Sequence, residues 1–465
     1  MTYRLDELEV PAGDPFRYDS LERRPLVEFL TDLIKRLNGP FVMALDSPWG
    51  SGKTTLIRML MEDLKVKNFQ CTYFNAWKVD YVTDPLVAMV SSIDRIDLGV
   101  EGANRTFRER LNAVKNVTNL VAKRAVIAGA KALTLGALDV DEEIESVASE
   151  LAGDMVGDLV KAFNRESELL EKFRAELTSA VAQLPVAGKE SNLVVFIDEL
   201  DRCRPNFSIE LLERIKHLFD IPNIIFVLSI DKQQLEASTA AVYGAAINAT
   251  EYLRRFIDLE YGIPAANPKR YTENLMKRFD LDPVFAERKG SEVAYDRSDF
   301  VEFFTLIANA MGLSLRARER CVARLRVVMD QTPSNHYLDP ILVALLIVLR
   351  SNNAALFNSV IRGEASAETV MKFLVSLPGG KEFQIGHPGV VIHAYLLAAD
   401  PDRDRAKQLE DQLRNDEGNE KLPEDTRRRA AALLEMKQQI NGGRRMGVSL
   451  APVAAKIDLA AMVRE

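Results

Sequence analysis

Apolar residues recur at helical spacing through Leu26, Val27, Leu30, Leu33 and Ile34, which predicts an amphipathic helix from about Arg23 to Leu37. The Asn38-Gly39-Pro40 punctuation ends it. Phe41–Asp46 is a short apolar run with strand character, and Ser47–Thr55 then leads into a second helical pattern from Leu56 to Leu64. A further strand is predicted at Phe69–Asn75, followed by a helix from about Pro85.

Residues 101–190 break this alternation, being Ala-rich, charged and helical in pattern with few strand formers. Strands and helices resume after them: Leu193–Glu199 reads as a buried strand, Ser208–Phe219 as a helix and Ile224–Asp231 as another strand. The stretch is therefore expected to be a helical subdomain inserted into an α/β core. Beyond Pro264 no strand pattern is evident. Helical periodicity covers Ser298–Leu325, Pro340–Val360 and Ala367–Leu377, and the final stretch reads as charged helices parted by breakers such as Asn441-Gly442-Gly443. No internal repeat or low-complexity tract is present.

Composition narrows the class. A chain of 465 residues, 47% hydrophobic and 28% charged, has the balance of a globular protein of about three domains and excludes a largely disordered or fibrous chain. Cys71, Cys203 and Cys321 are odd in number and far apart, which excludes a disulfide framework and a paired-cysteine metal site and makes a reducing cytoplasm the default. The net charge of −8 gives no global basic field for coating nucleic acid or an anionic membrane. The start MTYRLDELEVPAGDP lacks a signal-peptide pattern. No segment supplies the ~18 consecutive apolar residues of a spanning helix: Ile341–Leu349 is too short, and Val117–Leu138 is broken by Lys123, Arg124 and Lys131. A cytoplasmic protein with no stable membrane span is expected.

The main chemical signal is Gly50-Ser51-Gly52-Lys53-Thr54-Thr55, in a strand–loop–helix context. Glycines let backbone N–H groups turn inward around phosphates, Lys53 can bridge the β- and γ-phosphates, and Thr54 can ligand Mg²⁺. The full pattern places glycine six positions before the lysine, where this chain has Ser47. Without an anion, a lysine at a helix start is electrostatically unfavourable, which argues against a bland turn. Leu193–Asp198 ends in a carboxylate at a strand's C-terminal edge, where ligands of open α/β sheets sit. Asp198 is expected to hold the metal through its water shell, and Glu199 to polarise the attacking water. The acidic pair favours ATP over a GTPase arrangement. Guanine recognition by an N/T-K-x-D segment is missing, the nearest string being Trp77-Lys78-Val79-Asp80. Ser229 and Asp231 end the following strand, either as sensors of the γ-phosphate or as its solvent end.

SPWGSGKTT with Trp49 inside the loop, FNAWKVD, VVFIDELDRCRP and FVLSIDKQQL, in that order from about Tyr18 to Pro264, resemble the KAP family of P-loop NTPases. The resemblance implies an α/β fold: a parallel P-loop NTPase sheet flanked by helices, interrupted by a helical insert and followed by an all-α region. It implies an additional-strand ATPase, with one strand between the loop strand and the acidic strand, and cofactors ATP and Mg²⁺. Family members commonly carry an insert between those motifs, in many cases with transmembrane helices that are missing here. The second acidic position, commonly Asp in the family, is Glu199. Bacterial relatives include phage-exclusion and mobile-element proteins, so the resemblance implies an oligomeric defence or signalling ATPase.

The expected organisation is 1–100 as the first half of the NTPase core, 101–190 as the insert, 191–265 as the second half, 266–398 as a helical lid and 399–465 as a charged tail. Phosphoryl transfer also needs positive charge on the γ-phosphate. Arg316, with Arg320, lies in a segment resembling the family's lid Pro-Arg, although Leu315 replaces the proline; Arg254, Arg255, Arg202 and Arg204 are alternatives that sequence does not rank. Basic strings at Arg105–Lys123 and Arg427–Arg429 lack the aromatic interleaving that would mark a stacking platform for bases, which argues against nucleic acid. The histidines His217, His336, His387 and His393 show no metal-ligand spacing, and His217 is expected on a helix surface. Three functions remain: an ATP-hydrolysing switch, a partner-recruiting module that holds ATP with little turnover, and a small-molecule kinase.

Overall fold

The apolar runs fold into a parallel sheet, as strands buried on both faces do when helices cover each side. Its strands are β1 (Phe41–Asp46), β2 (Gln70–Asn75), β3 (Leu193–Asp198), β4 (Ile224–Ile230) and β5 (Leu259–Gly262), in the order β2-β3-β4-β1-β5. β4 thus lies between the loop strand β1 and the acidic strand β3, the additional-strand order. A computed structural model describes residues 5, 8–82, 84–135, 167–288, 296–334, 336, 338–442 and 450–458, with side chains only to 118 in the third of these stretches.

Alternation along each strand sorts side chains between two helical layers. Met43, Leu45, Cys71, Val194, Phe196, Ile225 and Val227 face α1 (Arg24–Arg36) and α2 (Lys53–Val66). Val42, Ala44, Phe74, Val195, Ile197, Phe226 and Leu228 face the opposite layer, which includes α3 (Pro85–Asp94) and the helix Pro205–Leu218. Phe107, Leu111 and Val114 from α4 (Glu101–Leu135), with Phe173, Leu177 and Leu184, join this second core. The described ends of the 101–190 stretch therefore share the core of the sheet. Residues 136–166, and the side chains of most of Val117–Leu138, lie outside the described residues.

β5 was not legible in the sequence. Leu-Glu-Tyr-Gly is four residues long and half exposed, so pairing with the edge of β1, from Met43↔Leu259 to Asp46↔Gly262, defines it and burial does not.

The chain forms two compact units, one of Leu8–Asp19 with Arg23–Pro264, the other including Ser20–Glu22 and Ala265–Glu465. Among the described residues of the second unit, every secondary-structure element is a helix. Its core is built on Pro340–Asn352, whose residues Pro340 to Leu349 are all buried, against Phe300, Phe304, Leu325, Phe357 and Leu397. The apolar run Ile341–Leu349 is thus the centre of a helical core. Among the described residues no helix is long and apolar enough to cross a membrane.

Gly39 shows how tightly β1 meets β4. A Cβ there would lie 2.5 Å from the Ile224 carbonyl oxygen and 2.8 Å from its nitrogen. Both neighbours are backbone, so they yield only by shifting a strand. Gly39→Ala is expected to lower unfolding stability by about 2 kcal/mol, as overpacking does, read as a lower denaturant midpoint in chemical unfolding.

Candidate functional site

All five strands run in the same direction, so their C-terminal ends make one edge, and the loop after β1 lies on it. Ser47 N donates to the Ile230 carbonyl at 3.1 Å, tying the start of the loop to β4. Gly50 and Gly52 take φ of +78° and +89°, where glycine pays no side-chain clash. Ser47 is not among the residues of positive φ, so serine at this position brings no backbone strain.

Lys53 opens α2 and is buried, its Nζ donating to the Ser47 carbonyl. Burial pulls the ammonium below the ordinary lysine range, opposed by the charges of Asp201, Asp231, Asp198 and Asp46. Thr54 Oγ1 donates to Asp198 Oδ2 at 2.8 Å, and the Tyr73 hydroxyl donates to the same oxygen at 2.9 Å. Asp198 Oδ1 accepts from Glu199 N at 3.0 Å. Asp198 thus accepts hydrogen bonds at both oxygens. Burial, then the Asp198 charge and hydrogen bond, push the Tyr73 hydroxyl up, so it stays a donor.

Glu199 follows in the left-handed region at φ +61°. Its Oε2 accepts from Asn75 Nδ2 at 2.9 Å, and its Oε1 pairs with Arg202 Nη1 at 2.5 Å. Asp231 Oδ2 accepts from Trp49 N at 3.2 Å, while the Trp49 indole Nε1 donates to Asp201 Oδ2. Asp46 Oδ1 accepts from Lys232 N at 2.9 Å. Ser229 stands opposite Asp198 and Leu45 in the ladder, fully buried, and its Oγ has no hydrogen-bond partner among the described residues; neither has the buried Ser51 Oγ.

One edge therefore gathers Trp49, Gly50, Ser51, Gly52, Lys53, Thr54, Thr55, Asp198, Glu199, Ser229 and Asp231. Arg316 belongs to the C-terminal unit, where it and Arg320 are exposed on the helix Leu315–Asp330. Between them Arg318 is buried, donating to the Leu313 carbonyl at 3.0 Å and Asn309 Oδ1 at 2.6 Å. Arg254 and Arg255 are exposed, and Arg204 pairs with Asp80 at 2.9 Å. Several basic-string residues are charge-compensated locally, Lys115 by Asp94 at 2.5 Å and Arg110 by Glu176 at 3.0 Å.

Tyr73, Asn75 and Asp201 escaped sequence reasoning. The first two were findable. Period-two alternation puts Cys71, Tyr73 and Asn75 on one face of β2, and Asn75 pairs with Asp198 in register. Asp201 had no such signal, because its partner is an indole in a loop 152 positions away.

The family model described as the KAP family P-loop domain matches residues 23–330. The phage T7 exclusion protein of Escherichia coli (strain K12) is 21% identical over 260 residues, covering 53% of this chain and 32% of that protein. The chain thus spans about a third of that relative's length. Two solved structures of the Aeropyrum pernix ORC2 protein align with 94% of this chain and 98% of theirs. The ADPNP-ADP complexes give a TM-score of 0.36 at 13% identity and the ADP form 0.34 at 12%.

Burial raises the Asp201 carboxyl above its ordinary range, and the Trp49 indole opposes that rise. A raised carboxyl binds more protons folded than unfolded, so its contribution to stability falls as pH climbs from the unfolded toward the folded pKa. Trp49→Phe removes the opposing donor and widens that window. Its melting temperature is therefore expected to fall relative to wild type as pH rises from about 4 toward neutrality. A pH series of thermal melts on both proteins checks the sign.

Proposed function

The chain belongs to the KAP family of P-loop domains, and from that membership and the geometry of its sheet edge we propose that it binds and hydrolyses Mg-ATP as an oligomeric conformational switch. The observation that carries the reading is the Thr54–Asp198 contact at 2.8 Å, which sets a helix-start hydroxyl against a strand-end carboxylate beside a buried lysine. The donor set fits the cofactors. Gly50 and Gly52 turn the backbone, Ser51 and Ser229 hold unpartnered hydroxyls, and the buried Lys53 ammonium has a single carbonyl as its hydrogen-bond acceptor among the described residues. Mg²⁺ would be held by Thr54 directly and by Asp198 through water, with phosphate oxygens completing the shell, and would neutralise charge developing on the phosphates.

The residues of this chain divide the remaining work. Lys53 leaves the Ser47 carbonyl to meet phosphate charge, and Trp49 to Thr55 cradle the phosphates through backbone and hydroxyl donors. Glu199 orients and polarises the attacking water. Ser229 and Asp231, beside the loop, sense the γ-phosphate. Arg316 supplies the outer positive charge from the C-terminal unit of the same or a second copy. In this reading 1–100 and 191–265 are the two halves of the NTPase core, 101–190 the insert, 266–398 a lid that moves between ATP and ADP states, and 399–465 a partner-facing tail. Likeness to a protein named for phage exclusion supports a bacterial defence or signalling role, carried out in the cytoplasm.

One observation favours a second reading. Glu199 has both carboxylate oxygens engaged, by Asn75 and Arg202, as in a module that keeps its ATP unhydrolysed. Steady-state phosphate release separates the two. The switch predicts turnover by wild type, a loss of about 10²-fold or more in Glu199→Gln with Mg-ATP binding retained, and loss of binding itself in Lys53→Ala. Wild type that binds Mg-ATP but never turns over belongs to the second reading, and phosphate passed to a metabolite belongs to a kinase. For Arg316→Ala, kcat is expected to fall about 10³-fold, and light scattering with and without Mg-ATP is expected to show a larger wild-type assembly with nucleotide.

A further inference from the structure

The chain has two tryptophans, and both lie against the turn Glu199–Arg202. Trp49, in the loop, donates its indole N–H to Asp201 and its backbone N–H to Asp231. Trp77, in the short turn Trp77–Val79 after β2, is 54% exposed and carries the Arg202 guanidinium over its ring, 5.8 Å from the centroid. From that seat Arg202 reaches Glu199 Oε1 at 2.5 Å, with the two side chains 25% and 16% exposed. Partly shielded from solvent, the two charges attract each other more strongly than a fully exposed pair does.

Glu199 carries both marks of a parked group. Its carboxylate faces a guanidinium on one oxygen and an amide on the other, which competes with a water at either. Its left-handed backbone is sparsely populated for a residue with a side chain. Asp201, one residue before Arg202, is the point where the turn is tied to the loop through Trp49. The loop that would receive phosphates and the turn that holds Glu199 are thus joined by one side-chain contact.

We propose that Arg202 is a restraining residue: seated on Trp77, it holds Glu199 aside, and filling of the loop by Mg-ATP withdraws it and frees the carboxylate for water. The proposal rests on the hydrolytic reading above for its consequence, but not for the movement itself. Trp77 is an exposed reporter of that movement, because a guanidinium leaving an indole face changes its emission.

The movement is tested in the full-length chain with Trp49 kept, because its indole ties the loop to Asp201; the Trp77 contribution is read as the part of the emission that Trp77→Phe removes. Saturation by Mg-ATP is established independently by calorimetry. Mg-ATP, and a non-hydrolysable ATP analogue with Mg²⁺, are expected to shift Trp77 emission. Adding Arg202→Ala is expected to give the shifted emission before nucleotide and no further change after it. Unaltered Trp77 emission at saturation overturns the proposal whether or not the protein hydrolyses ATP. In the wild-type background, Arg202→Ala is expected to raise kcat about five-fold, the scale of one partly exposed ion pair, with KM within about two-fold; Arg202→Lys restores the lower rate. Trp77→Ala, which removes only the seat, is expected to move kcat the same way. A fall in kcat in both Arg202→Ala and Trp77→Ala overturns the restraint and makes Arg202 an aid to the reaction. A nucleotide-dependent Trp77 shift without turnover in any variant supports the withdrawal of Arg202 and overturns the hydrolytic reading alone.

Discussion

The hydrogen bond from Thr54 Oγ1 to Asp198 Oδ2 joins residues 144 positions apart, and the candidate site depends on it. It exists because three strands end within one residue of one another. Asp46 pairs with Ile230, and Ser229 with Asp198, so β4 carries the register of the loop strand across to the acidic strand. A slip of one residue would turn Asp198 to the opposite helical layer and break the contact. The cores on both faces hold that register, since every residue of β3 and β4 is buried and alternates between them.

Around this contact the protein accepts local conflict. A buried ammonium sits among four carboxylates with a carbonyl as its hydrogen-bond acceptor, two hydroxyls lack partners among the described residues, and Glu199 holds a left-handed backbone. Each costs stability in the unliganded chain. Together they suit the proposed Mg-ATP reading, in which a polyanion with a divalent cation would satisfy the lysine and the hydroxyls at once. The rest of the sheet edge is well satisfied. Tyr73 and Asn75 on β2 steady the two acidic residues, and Trp49 ties the loop to Asp201 and Asp231.

Much of this was legible from residue pattern. The strand Phe41–Asp46, the helix start at Pro85 and the loop-to-helix switch followed from apolar periodicity and turn residues, because local chemistry sets them. β5 was not, since Leu259–Gly262 becomes a strand only through pairing with β1. Gly39 marks a helix end by its place in Asn38-Gly39-Pro40, whereas its tighter constraint is the backbone of Ile224. The same division runs through the site. Lys53, Thr54 and Asp198 announce themselves by motif, while the roles of Asp201 and Trp77 arise from contacts between distant segments. Arg202 and Arg316 looked alike as candidate cations. One is engaged with Glu199, and the other lies exposed on the helical unit.

The central claim is that Thr54 and Asp198 form a cation-assisted triphosphate site. Calorimetric titration of ATP into the wild-type chain, with Mg²⁺ and with the divalent cation chelated, tests it most directly. The account predicts that Mg²⁺ tightens ATP binding by about ten-fold or more, ~1.4 kcal/mol, and that Thr54→Val abolishes the difference. Equal affinity with and without the cation in wild type would contradict it.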